Sequence, residues 1–315
     1  MLSAVAIVGP TGVGKTETSV LVAKKLNTEI ISCDSMQVYK GMDIGTAKVT
    51  KGEMQGVKHY MIDVAEPTQS FSVGDYVELA KPIMEKIFKE GKIPVIAGGT
   101  GLYVDSLLNG TEFGDGEKDL KYRTELESLA QKQGAQHLHN MLESVDLESA
   151  KAIHPNNIKR VIRALEYYHI TGEPISEHNK KTQKIPSPYK TCYIGLTRNR
   201  DELYERIDRR VDIMMQSGLV DEVKRIVKQG VNKSHTAMQA LGYKEIYDYL
   251  RGFSTLDEAV RLIKRDSRHY AKRQMTWFNR NKNIHWINLS EVSDAGQASE
   301  LCIDIINRAF NERID

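Results

Sequence analysis

The sequence predicts an α/β protein built on a parallel sheet, and three observations support this fold class. Short apolar runs alternate with stretches of helical periodicity over the first third of the chain, which is the pattern of strands joined by helical crossovers. The apolar run at 4–8 leads directly into a glycine-rich turn, as a buried first strand would. From about residue 117 to 180 the patterns are helical without a convincing strand, which predicts an inserted all-helical subdomain.

Each element can be placed along the chain. Strands are expected at 4–8, 29–32, 60–64, 93–97, 191–196 and 284–289. Helices are expected at 15–26, 75–90 and 294–312, with others up to about residue 281. The pattern changes near Gly114, Asp115 and Gly116. We therefore predict a core of residues 1–115 and 190–315, a parallel sheet with flanking helices, interrupted by a helical insertion at 116–189.

Composition and charge exclude several classes of protein. The chain has 315 residues, of which 40% are hydrophobic, so it can bury a core and is not mainly disordered. With 44 Lys and Arg against 42 Asp and Glu, a uniform coat of positive charge is excluded, although a local basic patch is not. The three widely spaced cysteines favour reduced thiols in a cytoplasmic protein. We expect no membrane span, and a monomer in the absence of an oligomerisation signal.

The turn after the first strand carries a phosphate-binding motif. The pattern G-x-x-x-x-G-K-[ST] is matched by Gly9, Pro10, Thr11, Gly12, Val13, Gly14, Lys15 and Thr16. In such a loop, backbone N–H groups turn toward phosphate oxygens, the lysine adds positive charge, and the threonine hydroxyl can bind Mg²⁺. The following helix points its positive dipole end at the same anion. The motif and its context predict a P-loop NTPase-like fold that binds a diphosphate.

The motif is shared by nucleotide-binding and ATP-binding proteins, yet it does not by itself identify ATP. Phosphotransferases usually supply a second Mg²⁺ ligand, an aspartate at the end of another apolar strand. Here the strand at 93–97 runs into Gly98, Gly99 and Thr100 without an acid, and Asp63 is a weak candidate. An ordinary ATPase interpretation is therefore incomplete.

Asp34 follows the predicted second strand directly. In a doubly wound parallel sheet, ligands bind beyond the carboxyl ends of the strands, where the phosphate loop, Asp34 and the segment 98–100 would all lie. An aspartate beside a bound diphosphate can take a proton from an attacking nucleophile. Alternatively, Asp34 caps a helix or a turn, a common use of Asp followed by Ser.

Basic residues are concentrated in three acid-poor stretches. Four of them share one face of a predicted helix, since their spacing is 4, 3 and 4: Arg261, Arg265, Arg268 and Lys272. Residues 151–163 add Lys151, Lys159, Arg160 and Arg163, and residues 178–190 add four lysines. Segregated charge in a nearly neutral chain favours a polyanionic partner. The alternative for each stretch is a solvated helix face.

Four segments, in this order, resemble those of a known family. They are DSMQVYKGMDIGTAK at 34–48, GGTGLY at 98–103, AMQALGYKE at 237–245 and YAKRQMTWF at 270–278. Together with the phosphate loop, they are similar to the signatures of bacterial tRNA dimethylallyltransferases, of the tRNA isopentenyltransferase family. The resemblance extends from Gly9 to about Arg280.

The resemblance implies an activity and roles for particular residues. Family members transfer a dimethylallyl group from dimethylallyl diphosphate to N6 of the adenosine 3′-adjacent to the anticodon in tRNA, releasing diphosphate. By resemblance, Asp34 would be the general base and Thr100 would bind near the reacting centre. Lys15, Thr16 and Mg²⁺ would stabilise the leaving diphosphate. Arg206 and Arg210 resemble further diphosphate-binding residues.

The resemblance also implies a surface for the tRNA anticodon stem-loop. The pocket for the target base would be lined by Asp34, Ser35, Met36, Gln37 and Thr100. Further tRNA contacts would come from Arg123, Lys159, Arg160 and Arg163 of the insertion.

Two other functions compete with the transferase. A P-loop kinase of a small metabolite, with Asp34 as base, would turn over ATP without RNA and leaves the basic helices unexplained. An RNA-binding NTP switch would show nucleotide-dependent RNA affinity without a covalent product.

Overall fold

The computed structural model of the protein describes residues 2–111, 119–183 and 186–310. The chain divides into two compact units. We call Met1–Gly110 with Pro188–Asp315 the core unit, and Thr111–Ser187 the helical unit. The predicted change of pattern at Gly114, Asp115 and Gly116 lies outside the described residues.

The described residues of the core unit form a six-stranded parallel sheet. Its strands are β1 (Leu2–Val8), β2 (Ile30–Ser32), β3 (His59–Tyr60), β4 (Val95–Gly98), β5 (Tyr189–Thr197) and β6 (Ile284–Asn288), in the order β3-β2-β4-β1-β5-β6. The register pairs Val8 with Gly98 of β4 and with Gly195 of β5. Because the strands are parallel, β1, β2 and β4 end beside one another at one edge of the sheet, as predicted.

The prediction of a third strand at 60–64 was largely wrong. β3 ends at Tyr60, because Met61 and Asp63 adopt positive φ angles of 63° and 56°, which interrupt an extended strand. Asp63 instead pairs with Lys48, whose Nζ lies 2.6 Å from its carboxylate.

Helices occupy most of the rest of the chain. Before the insertion they are α1 (Lys15–Lys25), α2 (Lys51–Met54), α3 (Val73–Lys89) and α4 (Gly101–Leu108). The helical unit contains α5 (Leu120–Gln133), α6 (Ala135–Val145), α7 (Leu147–Ala152), α8 (Ile158–Thr171) and α9 (Ile175–Gln183). They are followed by α10 (Arg200–Gln216), α11 (Leu219–Lys228), a short 3₁₀ helix (Ala237–Gln239), α12 (Tyr243–Leu250), α13 (Leu256–Phe278) and α14 (Ala295–Phe310). Residues 311–312 of the predicted closing helix lie outside the described residues.

Both faces of the sheet are buried, which explains the continuous apolar run of β1. Val5 and Ile7 belong to the cluster on one face, where α1 and α14 pack. Ala6 and Val8 belong to the cluster on the other face, with residues of α3 and α4. A strand buried on two sides needs apolar residues at every position rather than at alternate ones.

A third cluster of the core unit positions the segment that follows Asp34. Val38 and Tyr39 are fully buried and pack with residues of α11, α12 and α13. Their helical partners lie within residues 211–263. The packing therefore joins the loop after β2 to helices that follow some 180 residues later in the chain.

The helical unit has an apolar cluster of its own. Leu126, Leu138, Leu142, Ile162 and Leu165 are its largest buried members, contributed by α5, α6 and α8. The polar faces of these helices are left to carry the charged residues discussed below.

The three cysteines Cys33, Cys192 and Cys302 are buried and unpaired. In the described part of the chain, every helix is too short or too polar to cross a membrane.

Candidate active site

The phosphate loop links β1 to α1 with a backbone that only glycine tolerates at key points. Gly9 has a φ of 150°, and a Cβ there would lie 2.4 Å from the carbonyl oxygen of Leu196. Gly14, with a φ of 115°, precedes the first residue of α1. These conformations let the loop turn tightly between the strand and the helix, which is the kind of backbone arrangement that forms anion-binding nests.

Lys15 folds back over the loop. Its Nζ donates hydrogen bonds to the carbonyl oxygens of Gly9 at 2.9 Å and Pro10 at 2.8 Å. Burial, with a smaller contribution from the nearby Arg210, lowers the pKa of Lys15 to about 7, and the charge of Asp34 opposes the shift. An anion in the loop would favour the protonated form of Lys15 and raise this pKa.

Three arginines donate hydrogen bonds to the loop. Arg206 donates from Nε to the carbonyl oxygen of Gly12 at 3.1 Å, and Arg210 reaches the Thr11 hydroxyl at 3.4 Å. Arg198 was missed by the sequence analysis, and its Nε donates to the carbonyl oxygen of Val13 at 2.9 Å. Its position directly after β5 was the available signal, because residues at that edge face the ligand site.

Asp34 and Thr100 meet at the ends of β2 and β4. Oδ1 of Asp34 accepts hydrogen bonds from the backbone N–H groups of Met36 at 2.9 Å and Gln37 at 3.3 Å. Oγ1 of Thr100 accepts from the Ser35 N–H at 3.0 Å and donates to the Ser35 hydroxyl at 3.3 Å. The turn at Ser35 therefore fixes the aspartate and the threonine side by side.

The same carboxylate is electrostatically linked to the phosphate loop. The charge of Asp34 raises the pKa values of Lys15 and Arg210, although burial is the larger effect on both and lowers them. Burial raises the pKa of Tyr270 to about 12, and Asp34 adds to the shift. The structure thus brings the predicted acid, the predicted loop and Thr100 together.

The segment after Asp34 is a rigid loop. The side-chain amide of Gln37 donates to the carbonyl oxygens of Thr46 at 3.2 Å and Ala47 at 3.3 Å. Glu222, which the sequence analysis missed, is buried and accepts from the N–H groups of Asp43, Ile44 and Gly45 at 2.9 to 3.1 Å. A carboxylate that satisfies three consecutive N–H groups fixes the loop in one conformation.

Gln274 of α13 is a further residue that the sequence analysis missed. It is buried, accepts a hydrogen bond from the Thr11 N–H at 2.8 Å, and donates to the carbonyl oxygen of Gly99 at 2.9 Å. It lies within the segment 270–278 that resembles the family, but residue spacing could not assign it to the site, because its partners lie 263 and 175 residues away.

The residues around the loop suit a magnesium ion that is bound mainly through its substrate. Thr16 is exposed at the first turn of α1. Among the described residues, no three His, Cys, Asp or Glu side chains form a metal-binding group. Mg²⁺ commonly keeps several waters and uses one or two protein ligands together with phosphate oxygens, so the Thr16 hydroxyl beside a diphosphate fits that coordination.

The predicted tRNA contacts of the helical unit lie on α5 and α8. Lys159 and Arg160 are exposed, whereas Arg123 and Arg163 share a partner, the fully buried Glu166. Arg123 donates to Glu166 at 2.6 Å and Arg163 at 3.1 Å. Two guanidinium groups on one carboxylate leave a net positive charge, with the guanidinium orientations fixed by hydrogen bonds.

The basic stripe of α13 is less positive than its sequence suggests. Arg268 donates to both carboxylate oxygens of Asp208 at 2.5 and 2.7 Å, and Arg265 pairs with Asp266 at 2.8 Å. Lys272 is exposed. The periodicity placed the stripe on one face, but it could not show that α10 supplies Asp208.

A parallel sheet with a phosphate loop at the end of β1 defines the class of P-loop α/β proteins. Comparison with known proteins narrows that class. The model of the IPP transferase family matches residues 37–281. A tRNA dimethylallyltransferase of Halalkalibacterium halodurans is 51% identical over 288 residues, which cover 91% of each chain.

Solved structures are similar over the same extent. The full-length tRNA isopentenylpyrophosphate transferase of Bacillus halodurans is 46% identical, with a TM-score of 0.74 and 99% of both chains covered. A eukaryotic dimethylallyltransferase acting on tRNA is 29% identical, with a TM-score of 0.85 over 100% of this chain and 81% of its own. The chain therefore belongs to the IPP transferase family.

Proposed function

We propose that this chain transfers the dimethylallyl group of dimethylallyl diphosphate to N6 of the adenosine 3′-adjacent to the anticodon in tRNA, releasing diphosphate. The main observation in support of this function is that three loops meet at one edge of the sheet. They present a diphosphate-binding backbone, a carboxylate and a threonine hydroxyl. Membership of the IPP transferase family supports the same activity.

The reaction breaks one bond and forms another, and the residues around Asp34 would act on the adenine. The bond from the allylic carbon to the diphosphate oxygen breaks, and a bond from that carbon to N6 of adenine forms. The N6 proton passes to Asp34, whose carboxylate is held by the N–H groups of Met36 and Gln37. Thr100, fixed through Ser35, lies beside the reacting centre.

The leaving diphosphate is stabilised by the loop Gly9–Thr16. Lys15 supplies the nearest positive charge, and Arg206 and Arg210 add theirs from α10. Mg²⁺ would be held by the Thr16 hydroxyl and would neutralise charge that develops on the diphosphate. Backbone N–H groups of the loop would add donors to an environment that favours the departing anion over the intact donor.

RNA recognition is divided between a base pocket and phosphate contacts. The target adenine lies in an anticodon loop, so it must leave its stack to reach a buried site. Asp34, Ser35, Met36, Gln37 and Thr100 would line the pocket that accepts it. The exposed cations Lys159, Arg160 and Arg163, with Arg123, would bind backbone phosphates.

The kinase alternative is less consistent with this site. β4 runs into Gly98 and Gly99 without an acid, and Asp63, the weak candidate for a magnesium ligand, is paired with Lys48 at 2.6 Å. A kinase of a small metabolite would also give no role to the two arginines that pair with Glu166, Arg123 and Arg163.

One experiment distinguishes the transferase from the kinase and from an RNA-binding switch. The protein is incubated with dimethylallyl diphosphate labelled in the allyl group, Mg²⁺ and unmodified tRNA, and label in the RNA is measured. We expect stoichiometric label at one adenosine. ATP hydrolysis without RNA, or nucleotide-dependent RNA binding without label, would contradict the transferase.

We further propose that the protein acts as a cytoplasmic monomer. The buried, unpaired cysteines are consistent with a reducing compartment. Light scattering coupled to size exclusion measures the oligomeric state, and a mass near 35.6 kDa is expected.

A further inference from the structure

Helix α13 contacts both halves of the candidate active site with one face. Tyr270 and Gln274 are one turn apart and point inward. Tyr270 lies near Thr100 and Gln274, and both lower its pKa against the larger, opposing effect of burial. Gln274 in turn bonds the Thr11 N–H of the phosphate loop and the Gly99 carbonyl oxygen, next to Thr100.

The amide of Gln274 is matched to these two partners in a single orientation. Thr11 offers a backbone N–H and Gly99 a carbonyl oxygen. A side-chain amide has a carbonyl oxygen to accept from the first and an NH2 group to donate to the second. An ionised carboxylate could not donate to Gly99, and an aliphatic side chain could bond neither group. The bridge is also tight, because a Cβ on Gly99 would lie 2.1 Å from Nε2 of Gln274.

Gln274 joins the loop that would bind the leaving diphosphate to the loop that would lie beside the attacking base. The loop after β1 would hold the diphosphate that leaves, and the loop after β4 presents Thr100 beside the base. Transfer requires the allylic carbon to lie between them in near-attack geometry, and a misplacement of about 1 Å can cost on the order of 10²-fold in rate.

We propose that Gln274 is a positioning residue for group transfer, which sets the separation between the phosphate loop and the Thr100 loop. The inference rests on the proposed function, since it concerns the alignment of that reaction. Gln274 contacts protein atoms on both sides and acts through them, so it should govern the rate of the chemical step more than the affinity for either substrate.

The test is a split between kcat and binding in the full-length protein. Gln274→Met keeps the length of the side chain and removes both hydrogen bonds. We expect kcat to fall by roughly 30- to 100-fold, with the Kd values for dimethylallyl diphosphate and tRNA changed less than about threefold. The control is Thr276→Ala, an exposed position on the same helix, which should leave kcat and both Kd values unchanged.

A second variant approaches the bridge from the other side. Gly99→Ala leaves every hydrogen-bonding group in the chain but places a methyl group where the amide of Gln274 lies. We expect a similar fall in kcat, and we expect the double variant Gly99→Ala with Gln274→Met to be about as slow as either single variant. Such non-additivity is the signature of two changes that break one interaction.

The outcomes separate the inference from the function on which it rests. Absence of transfer by the wild-type protein overturns both. Normal transfer by the wild type together with an unchanged kcat in Gln274→Met, or a fall confined to the Kd values, overturns the positioning role alone. Multiplicative effects in the double variant do the same. Should Gln274→Met fail to fold, as judged by its melting temperature, Gly99→Ala alone decides: a kcat equal to that of the wild type overturns the role.

Discussion

In the core unit the candidate catalytic groups are held by hydrogen bonds to backbone atoms. In the helical unit the candidate RNA contacts are either the exposed Lys159 and Arg160 or the two arginines, Arg123 and Arg163, that pair with the Glu166 side chain. Asp34 accepts two backbone N–H groups, and Lys15 donates to two carbonyl oxygens. Lys159 and Arg160, by contrast, are exposed in the first turn of α8.

The difference follows from what each unit must do. Group transfer requires charges preorganised to within a fraction of an ångström, which a buried network supplies. Phosphate contacts to RNA gain affinity through counterion release, for which exposed cations suffice. Variants in the core unit should therefore change rates, and variants in the helical unit should change affinities.

The largest expected effect is on the general base. Asp34→Asn keeps the shape of the side chain and removes the charge that accepts the N6 proton. We expect kcat to fall by ~10²–10⁴ with tRNA affinity nearly unchanged. Steady-state transfer and filter binding measure the two quantities, with the exposed Asp304→Asn as control. A loss of binding equal to the loss of turnover would make Asp34 a recognition residue.

Lys15→Ala should have the next largest effect. The departing diphosphate loses its nearest positive charge, and the loss of one preorganised contact typically costs ~10²–10³ in rate. Lys24→Ala, an exposed lysine of the same helix, should transfer at the wild-type rate. Near-normal transfer by Lys15→Ala would remove the diphosphate role from the loop.

The sequence was sufficient for the parts of the site that are local. A strand, a glycine-rich loop and a helix in succession defined the phosphate loop, and the rule for parallel sheets placed Asp34 and Thr100 beside it. It was insufficient at β3, where the positive φ angles of Met61 and Asp63 end the strand. The residue types at 60–64 do not predict those angles.

The residues that hold the site together were also beyond local patterns. Glu222 and Gln274 each sit on the buried face of a helix and find their partners more than 170 residues earlier. Hydrophobic periodicity reports that a face is buried, but the partner of a polar residue on that face depends on strand order and helix packing. Asp208 lies on another helix, 60 residues before Arg268, so helix packing also determines this ion pair.

A smaller effect is expected from pH acting on Lys15. Since the pKa of Lys15 is lowered to about 7, the side chain of the free protein is charged below pH 7 and neutral above it. Binding of a diphosphate favours the charged form, so affinity should be highest below pH 7 and fall by up to about tenfold per unit above it.

Calorimetric titration with inorganic diphosphate from pH 6 to 8.5 measures this dependence. Diphosphate itself titrates in this range, so Lys15→Ala serves as the reference and should lack the additional loss of affinity at high pH. Identical pH profiles for the two proteins would contradict a titrating lysine in the loop.

The smallest expected effect is in the helical unit. Arg160→Ala with Arg163→Ala removes two phosphate contacts, so the salt slope of tRNA binding should flatten by about one to two units and affinity should fall by roughly tenfold or less. Donor binding should be intact. Lys81→Ala with Lys89→Ala removes the same charge from exposed positions of α3, and it should leave the slope unchanged.

The division between chemistry in the core unit and RNA affinity in the helical unit is tested most directly by single-turnover transfer at saturating tRNA. The protein is preloaded with labelled dimethylallyl diphosphate, and the rate constant for label entering tRNA is measured for Asp34→Asn and for the Arg160 and Arg163 double variant. We expect a rate constant within about twofold of the wild type for the double variant and ~10²–10⁴-fold lower for Asp34→Asn. A double variant as slow as Asp34→Asn at saturating tRNA would contradict the division.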